Sequence, residues 1–182
     1  MNIANKLTVF RVLLIPVFLL AFWYENRAGN AYYISIAVFL LASITDYADG
    51  LLARRLNLIT NFGKFMDPLA DKLLVAAALI ALTAVGAVHP WVTITIVCRE
   101  FIVTGVRLIA AEQGVVIAAD KTAKLKTVMQ IVMVVYCLAG LQNLSSLFSI
   151  IWYVIITITI LLTVFSAFNY IYKNKNIFKG GI

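Results

Sequence analysis

The chain of 182 residues is 63% hydrophobic and only 13% charged, with a mean hydropathy of +0.99. Soluble domains carry about one quarter charged residues, so this composition excludes an ordinary soluble protein and indicates an integral membrane protein. The net charge of +7 favours anionic lipid headgroups and phosphorylated substrates, and without a recognisable nucleic-acid-binding module we expect no nucleic acid partner. No repeat or linker divides residues 1–182, which we interpret as a single membrane domain.

Six apolar segments are long enough to form transmembrane helices, which need about 20 residues to cross a hydrocarbon core ~30 Å thick. We predict helices at residues 9–24, 31–56, 64–85, 91–111, 123–141 and 147–172. Polar or Gly- and Pro-containing stretches predict turns at 25–30, 56–62, 86–90, 112–121 and 142–146. The predicted fold class is therefore an all-α integral membrane protein with six transmembrane helices.

The basic residues predict the orientation of these helices. With six helices, both termini lie on one side of the membrane, together with the turns at 56–62 and 112–121. Every Lys and Arg except Arg27 falls on that side. Because positively charged loops are retained in the cytoplasm, we expect both termini and these turns to be cytoplasmic in a multi-pass protein.

Half of the eight acidic residues fall within residues 46–71, in sequence that is otherwise largely apolar. Each carboxylate at bilayer depth costs about 2.5–3.5 kcal/mol, so a compensating charge is expected. Asp46 and Asp49 are three residues apart and Asp67 and Asp71 four apart, which puts each pair on one face of its predicted helix. Both pairs lie within about 12 Å of the 56–62 turn. We predict that they form a four-carboxylate site, which opens to the cytosolic leaflet.

Oxygen ligands without Cys or His form the set that Mg²⁺ or Mn²⁺ prefers, and these ions often meet phosphate oxygens in enzymes. Four carboxylates suffice for two ions about 3.5–4 Å apart, an arrangement that promotes displacement at phosphorus. One alternative is structural ion pairing of the acids with Arg54, Arg55 and Lys72. Another is a small divalent-cation or anion transporter, which predicts polar residues toward the outer side, where helices two and three offer few.

Basic residues of helices four and five form a second candidate site. Arg99 and Arg107 lie eight residues apart in helix four, and Lys124 and Lys126 lie near the start of helix five. Such cations are suited to hold the phosphate of a small acceptor molecule. The alternatives are an internal ion pair of Arg99 with Glu100 or another carboxylate, and lysine side chains that extend to the lipid headgroups.

A third polar set, formed by Asn5, Thr8 and Arg11, lies at the start of helix one. These side chains are suited to contact a substrate phosphate. The alternative is that Asn5 or Thr8 caps the helix while the Arg11 side chain extends to the membrane surface.

The acidic stretch resembles the motif DxxDGxxAR…GxxxDxxxD of the CDP-alcohol phosphatidyltransferase family, without departure at any position. The matching residues are Asp46, Asp49, Gly50, Ala53, Arg54, Gly63, Asp67 and Asp71. The resemblance implies transfer of a phosphatidyl group from CDP-diacylglycerol to an alcohol, with CMP as the leaving group. It also implies two bound Mg²⁺ or Mn²⁺ ions, held by Asp46, Asp49, Asp67 and Asp71.

The same resemblance implies roles for the other motif residues. Asp71 is the expected general base, because a carboxylate beside a cation can take the proton of an acceptor hydroxyl. Gly50, Ala53 and Gly63 would leave room for the cytidine part of the donor, and Arg54 would hold its phosphate or nucleotide portion. A homodimer is also implied.

Three further runs resemble the bacterial phosphatidylglycerophosphate synthases within this family. They are the NxLTxxR run at residues 5–11, Arg99-Glu100 together with Arg107, and KLKT at residues 124–127. The resemblance implies donor contacts from Asn5, Thr8 and Arg11, and acceptor phosphate binding by Arg99, Arg107, Lys124 and Lys126. The expected acceptor is sn-glycerol 3-phosphate and the expected location is the bacterial cytoplasmic membrane, with the active site facing the cytosol. Serine, inositol 1-phosphate and phosphatidylglycerol remain alternative acceptors.

Overall fold

The computed structural model describes the backbone of residues 3–29, 32–56, 61–112 and 121–173, and the side chains of residues 9–29, 32–45, 70, 72–110 and 124–173. Over these residues the chain forms six α-helices, one short 3-10 helix (Leu141–Asn143) and turns, without a strand. The helices are α1 (Ile3–Ala28), α2 (Tyr33–Leu56), α3 (Asn61–Ala84), α4 (Pro90–Glu112), α5 (Lys121–Leu138) and α6 (Ser146–Lys173). The predicted all-α architecture is confirmed, with one helix for each predicted segment.

Several predicted boundaries differ from the structure, most of all the start of helix one, which is predicted at residue 9 and lies at Ile3. The turn predicted at 25–30 begins later, because residues 25–28 are still helical and α1 ends before Gly29, whose φ of 65° suits a helix C-terminus. Of the turn predicted at 56–62, residues 56, 61 and 62 are helical, because α2 ends at Leu56 and α3 begins at Asn61, and residues 57–60 lie outside the described residues. Helix five ends at Leu138 instead of residue 141, before Gly140 with a φ of 66°.

The described apolar helical segments differ in length, and only some are long enough to span a membrane. By length and composition, Val9–Ala28 and Ser146–Lys173 are long and apolar enough to cross a membrane. Tyr33–Thr45 and Lys72–Ala84 are shorter apolar helical stretches. Among the described residues, therefore, α1 and α6 are the candidate membrane-spanning helices.

The described chain divides into two compact units, which we describe separately. The first unit comprises Met1–Ala87 and Val134–Leu141. In this unit α1 packs against both α2 and α3, and α2 also packs against α3. Phe18 of α1 lies with its ring centroid 6.1 Å from that of Phe22 and 6.0 Å from that of Phe39 on α2. Leu79 and Leu82 of α3 are almost fully buried in the core of this unit.

A buried carboxylate joins α1 to the start of α2. Glu25 is only 3% exposed, and its carboxylate accepts hydrogen bonds from the backbone amides of Ile34 and Ser35, at 2.7 and 3.0 Å. These amides belong to the first turn of α2, where backbone donors have no acceptor within the helix. Glu25 therefore caps α2 from the preceding helix and orients the helix that carries Asp46 and Asp49.

The second unit comprises Val88–Met133 and Gln142–Ile182, and in it α4 packs against α6. The buried part of α4 includes Ile96, Val103 and Val106. On α6 the buried residues are small and hydroxylated, except for one aromatic residue: they are Trp152, Thr159, Thr163 and Ser166. Each of the three hydroxyl groups donates a hydrogen bond to a backbone carbonyl of its own helix. Small hydroxylated residues of this kind allow neighbouring helices to approach closely.

Candidate active site

The four acidic motif residues lie on two neighbouring helices of the first unit. Asp46 and Asp49 belong to α2, and Asp67 and Asp71 belong to α3. Because both segments are helical, as predicted, the spacings of three and four residues put each pair on one face of its helix. The helices themselves pack against each other. The side chains of these residues lie outside the described set, so the predicted metal site and the general base remain predictions.

The remaining residues of the motif flank the connection between these two helices. Gly50, Ala53 and Arg54 lie in the last two turns of α2, and Gly63 is the third residue of α3. The sequence predicts Gly63 just before its helix, and this is wrong because α3 begins at Asn61. The side chains of Ala53 and Arg54 are also outside the described set.

Of the third polar set, only Arg11 has a described side chain. Asn5 and Thr8 lie in the first two turns of α1, and Arg11 follows one turn later. Arg11 is 2% exposed and is among the largest fully buried side chains of the described residues. A guanidinium group that extends to the lipid headgroups would remain exposed, so the alternative of a surface-reaching Arg11 does not fit this burial. A buried guanidinium requires an anionic or polar partner, which is consistent with a position beside acidic residues or a phosphate.

The second candidate site contains a buried ion-pair cluster in the second unit. Nη1 of Arg99 lies 3.0 Å from Oε1 of Glu100, and Nζ of Lys126 makes an ion pair with the same oxygen. Arg99 and Glu100 are each 8% exposed and Lys126 is 2% exposed. Nη2 of Arg99 also donates a hydrogen bond to Oγ of Ser166, at 2.9 Å. The Arg99–Glu100–Lys126 cluster, named after these residues, thus connects α4 with α5 and α6.

The structure separates the four predicted phosphate-binding residues into buried and exposed pairs. Arg99 and Lys126 belong to the buried cluster, whereas Arg107 and Lys124 are exposed. Tyr170 of α6 interacts electrostatically with Arg107 and Arg99. The internal Arg99–Glu100 ion pair, one of the alternatives from the sequence, is present, and the exposed Lys124 is compatible with a headgroup contact. Lys126 is too deeply buried for such a contact.

Several polar groups beside this cluster were not identified from the sequence. Thr104 is 5% exposed and lies one helical turn after Glu100, while Gln130 is 2% exposed and lies one turn after Lys126. Oγ1 of Thr104, Nε2 of Gln130 and Nε of Arg99 have no hydrogen-bond partner among the described residues. The spacing of four residues could have revealed Thr104 and Gln130, because it places them on the same helix faces as Glu100 and Lys126.

These observations describe an apolar α-helical protein with an acid-rich pair of neighbouring helices and a separate buried cluster of basic residues. A model of the CDP-alcohol phosphatidyltransferase family matches residues 1–168. The match covers all six helices except the end of α6. The chain therefore belongs to the CDP-alcohol phosphatidyltransferase family, as the motif from Asp46 to Asp71 predicted.

Individual relatives narrow the comparison within the family. A Bacillus subtilis protein named CDP-diacylglycerol–glycerol-3-phosphate 3-phosphatidyltransferase is 46% identical over 143 residues, which cover 73% of this chain and 74% of the relative. A Mycobacterium tuberculosis protein named probable phosphatidylglycerophosphate synthase is 41% identical over 174 residues, covering 93% of this chain and 80% of the relative. A Rickettsia felis protein with the same name as the Bacillus relative is 35% identical over 178 residues, covering 97% of each.

Proposed function

We propose that this chain transfers the phosphatidyl group of CDP-diacylglycerol to sn-glycerol 3-phosphate, giving phosphatidylglycerophosphate and CMP. The observation that supports this proposal most strongly is the match of the family model to residues 1–168 together with relatives named for this reaction. All eight motif positions are present, and their backbone lies on the two packed helices α2 and α3.

The donor set of the motif fits divalent metal ions. Asp46, Asp49, Asp67 and Asp71 offer only carboxylate oxygens, which suit Mg²⁺ or Mn²⁺, and their helices are neighbours in one unit. Two such ions supply neutralisation of the donor diphosphate when they are bound. In this proposal Asp46, Asp49 and Asp67 act as ligands, and Asp71 acts as ligand and general base.

The proposed reaction is a displacement at the lipid-linked phosphorus. Asp71 accepts the proton of a hydroxyl group of the acceptor while the hydroxyl oxygen forms a bond to this phosphorus. The bond between the same phosphorus and the oxygen of the CMP phosphate breaks, and CMP leaves. Arg54 holds the phosphate or nucleotide of the donor, with Gly50, Ala53 and Gly63 leaving room for the cytidine. Asn5, Thr8 and Arg11 contribute further contacts to the donor.

The acceptor is proposed on the basis of the basic residues in the second unit. Arg99, Arg107, Lys124 and Lys126 favour an acceptor that carries a phosphate over a neutral or zwitterionic alcohol. Two of the three charged side chains in the Arg99–Glu100–Lys126 cluster are cations, and they support glycerol 3-phosphate over serine.

We further propose that the protein is a single domain in the bacterial cytoplasmic membrane, with six transmembrane helices, both termini in the cytosol and the active site at the cytosolic leaflet. Two described helices have the length and apolar composition of spans, and every basic residue except Arg27 falls on the side assigned to the cytosol. The other four helices would span together with these two. A homodimer is proposed from the family resemblance.

The function is tested with purified protein, labelled CDP-diacylglycerol and a panel of acceptors. Glycerol 3-phosphate, serine, inositol 1-phosphate and phosphatidylglycerol are offered separately with Mg²⁺ or Mn²⁺, and the lipid products are separated by thin-layer chromatography. We expect phosphatidylglycerophosphate and stoichiometric CMP only with glycerol 3-phosphate. Formation of lipid product with another acceptor, and none with glycerol 3-phosphate, would show that the proposed acceptor is wrong.

A further inference from the structure

The Arg99–Glu100–Lys126 cluster places one carboxylate oxygen between two cations on different helices. Oε1 of Glu100 contacts Nη1 of Arg99, which is its neighbour on α4, and Nζ of Lys126 on α5. All three residues are buried, with 8% of Arg99, 8% of Glu100 and 2% of Lys126 exposed. A shared acceptor of this kind fixes both cations relative to each other, because neither can move without losing its ion pair.

The Arg99 side chain is held from a second direction as well. Its Nη2 donates a hydrogen bond to Oγ of Ser166 on α6, and this hydroxyl group donates in turn to the carbonyl oxygen of Thr163, at 3.0 Å. A guanidinium group is planar, so two fixed nitrogen atoms define the plane and direction of the whole group. The contacts of Arg99 with Glu100 and Ser166 therefore also fix the direction in which its Nε–H group points.

The composition of the cluster is unusual for a purely structural brace. A buried ion pair stabilises a fold less than apolar residues of similar volume would, and here the second cation adds a further desolvation cost. The neighbouring buried donors, Nε of Arg99 and Nε2 of Gln130, have no acceptor among the described residues. These buried donors without an acceptor, beside the side chains of two buried cations, point to the binding of an anion.

We propose that Glu100 and Ser166 are positioning residues for the phosphate of the acceptor, acting through Arg99 and Lys126. This inference rests on the proposed function, since it deepens the acceptor site of that reaction. Glu100 does not touch the substrate, because a carboxylate would repel a phosphate. It orders the two cations before the acceptor arrives, so that less conformational freedom is lost on binding.

Two substitutions of Glu100 separate charge from shape. Glu100→Gln keeps the size of the side chain but removes its charge, whereas Glu100→Asp keeps the charge on a shorter side chain. If Glu100 positions the cations by its charge, the KM for glycerol 3-phosphate rises about tenfold in the Gln variant, the loss expected for a charge-assisted hydrogen bond, and less in the Asp variant. The KM for CDP-diacylglycerol stays within about twofold of wild type, because the donor is not held by this cluster.

A milder variant keeps the test valid if substitutions of Glu100 prevent folding. Ser166→Ala removes one hydroxyl group and leaves the ion pairs in place, so we expect an acceptor KM about threefold higher, the size of one neutral hydrogen bond. Thr159→Val is its matched control: Thr159 is a buried hydroxylated residue of the same helix that donates to Ile155 and not to Arg99. This control should not change the acceptor KM.

The outcomes distinguish this inference from the proposed function. If the wild-type protein does not use glycerol 3-phosphate, the proposed function fails, and this inference fails with it. If the wild type is active but the Glu100 and Ser166 variants keep a normal acceptor KM, only the positioning role is overturned. Equal increases of KM for both substrates, or a larger effect of Glu100→Asp than of Glu100→Gln, would likewise reduce Glu100 to a structural residue.

Discussion

Oε2 of Glu25 accepts hydrogen bonds from both the hydroxyl group and the backbone amide of Ser35, at 2.5 and 3.0 Å. The two residues are ten positions apart, on either side of the turn between α1 and α2. This contact occupies the first-turn amides of the helix that carries Asp46 and Asp49. The start of that helix therefore depends on one buried acid.

We expect Glu25→Gln to lower the free energy of unfolding by about 1.5–3 kcal/mol, because a neutral amide replaces a charged acceptor of several hydrogen bonds. Unfolding in detergent, followed by circular dichroism, measures this loss. Arg27→Gln is the control: Arg27 is exposed and lies over the Trp23 ring at 4.7 Å, a contact of about 1 kcal/mol or less at such a site. Equal stability of the Glu25 variant and the wild type would contradict the capping role.

Substitution of the proposed general base is expected to change catalytic turnover without changing the stability of the fold. Asp71→Asn should abolish CMP release while the unfolding temperature remains close to that of the wild type, because an amide cannot accept the proton of the acceptor hydroxyl group. Chelation of divalent ions should abolish activity in the wild type, and added Mg²⁺ or Mn²⁺ should restore it. Near-normal turnover by the Asn variant would remove Asp71 from this role.

Two lysines of α5 are expected to differ in their effect on the acceptor. Lys126 is buried on Glu100, whereas Lys124 is exposed and its charge is screened by solvent. We expect Lys126→Gln to raise the KM for glycerol 3-phosphate by at least about tenfold and Lys124→Gln by less than about threefold. Glu100 retains Arg99 as a partner in the first variant, so its carboxylate is not left unpaired. Steady-state kinetics at saturating donor measures both, and a larger effect at Lys124 would contradict the assignment.

Tyr32, which precedes α2, is expected to make the stability of the protein decrease at alkaline pH. Burial, followed by the electrostatic interactions with Cys137 and Glu25, raises the pKa of Tyr32 above its ordinary value of 10.0. The folded protein thus binds this proton more tightly than the unfolded chain does, so the stabilisation is complete below pH 10 and is lost as the pH rises through the raised pKa. Tyr32→Phe lacks this dependence, and unfolding temperatures measured from about pH 8 to 11 should fall less steeply for the variant. Parallel curves would contradict the prediction.

The proposed topology is tested by labelling single cysteines in intact cells. With Cys98 and Cys137 replaced by Ala, Leu144→Cys lies in an exposed position between the 3-10 helix and α6, on the proposed outer side. A membrane-impermeant maleimide should label it without permeabilisation. Lys121→Cys, at the start of α5 on the proposed cytosolic side, should be labelled only after permeabilisation. The reverse pattern would invert the orientation.

The sequence predicted the helices well because apolar segments of this length have few alternatives in a membrane. All six predicted helices are present, and the differences lie at their ends: polar residues such as Glu25 predict a turn, but α1 continues to Ala28. A polar side chain at a helix end is compatible with both structures. The helix α1 ends before Gly29, because the positive φ of this residue is incompatible with a right-handed helix.

The contacts made by polar residues could not be predicted in the same way. Lys124 and Lys126 are two positions apart, so they point to nearly opposite sides of α5, yet neither side could be assigned to the protein interior from sequence alone. Similarly, nothing in the sequence shows that Glu25 folds back on Ser35 or that Ser166 contacts Arg99. Such pairs depend on the packing between helices, which periodicity does not determine.

The short span between Glu25 and the amides it binds has a consequence for biosynthesis. A loop of about ten residues closes at low entropic cost, so α1 and α2 can pair as a hairpin soon after both have left the ribosome. The first two acidic residues of the motif would then enter the bilayer on a helix whose opposite end is already anchored. We expect the order of synthesis to assemble this half of the protein from the amino terminus onward.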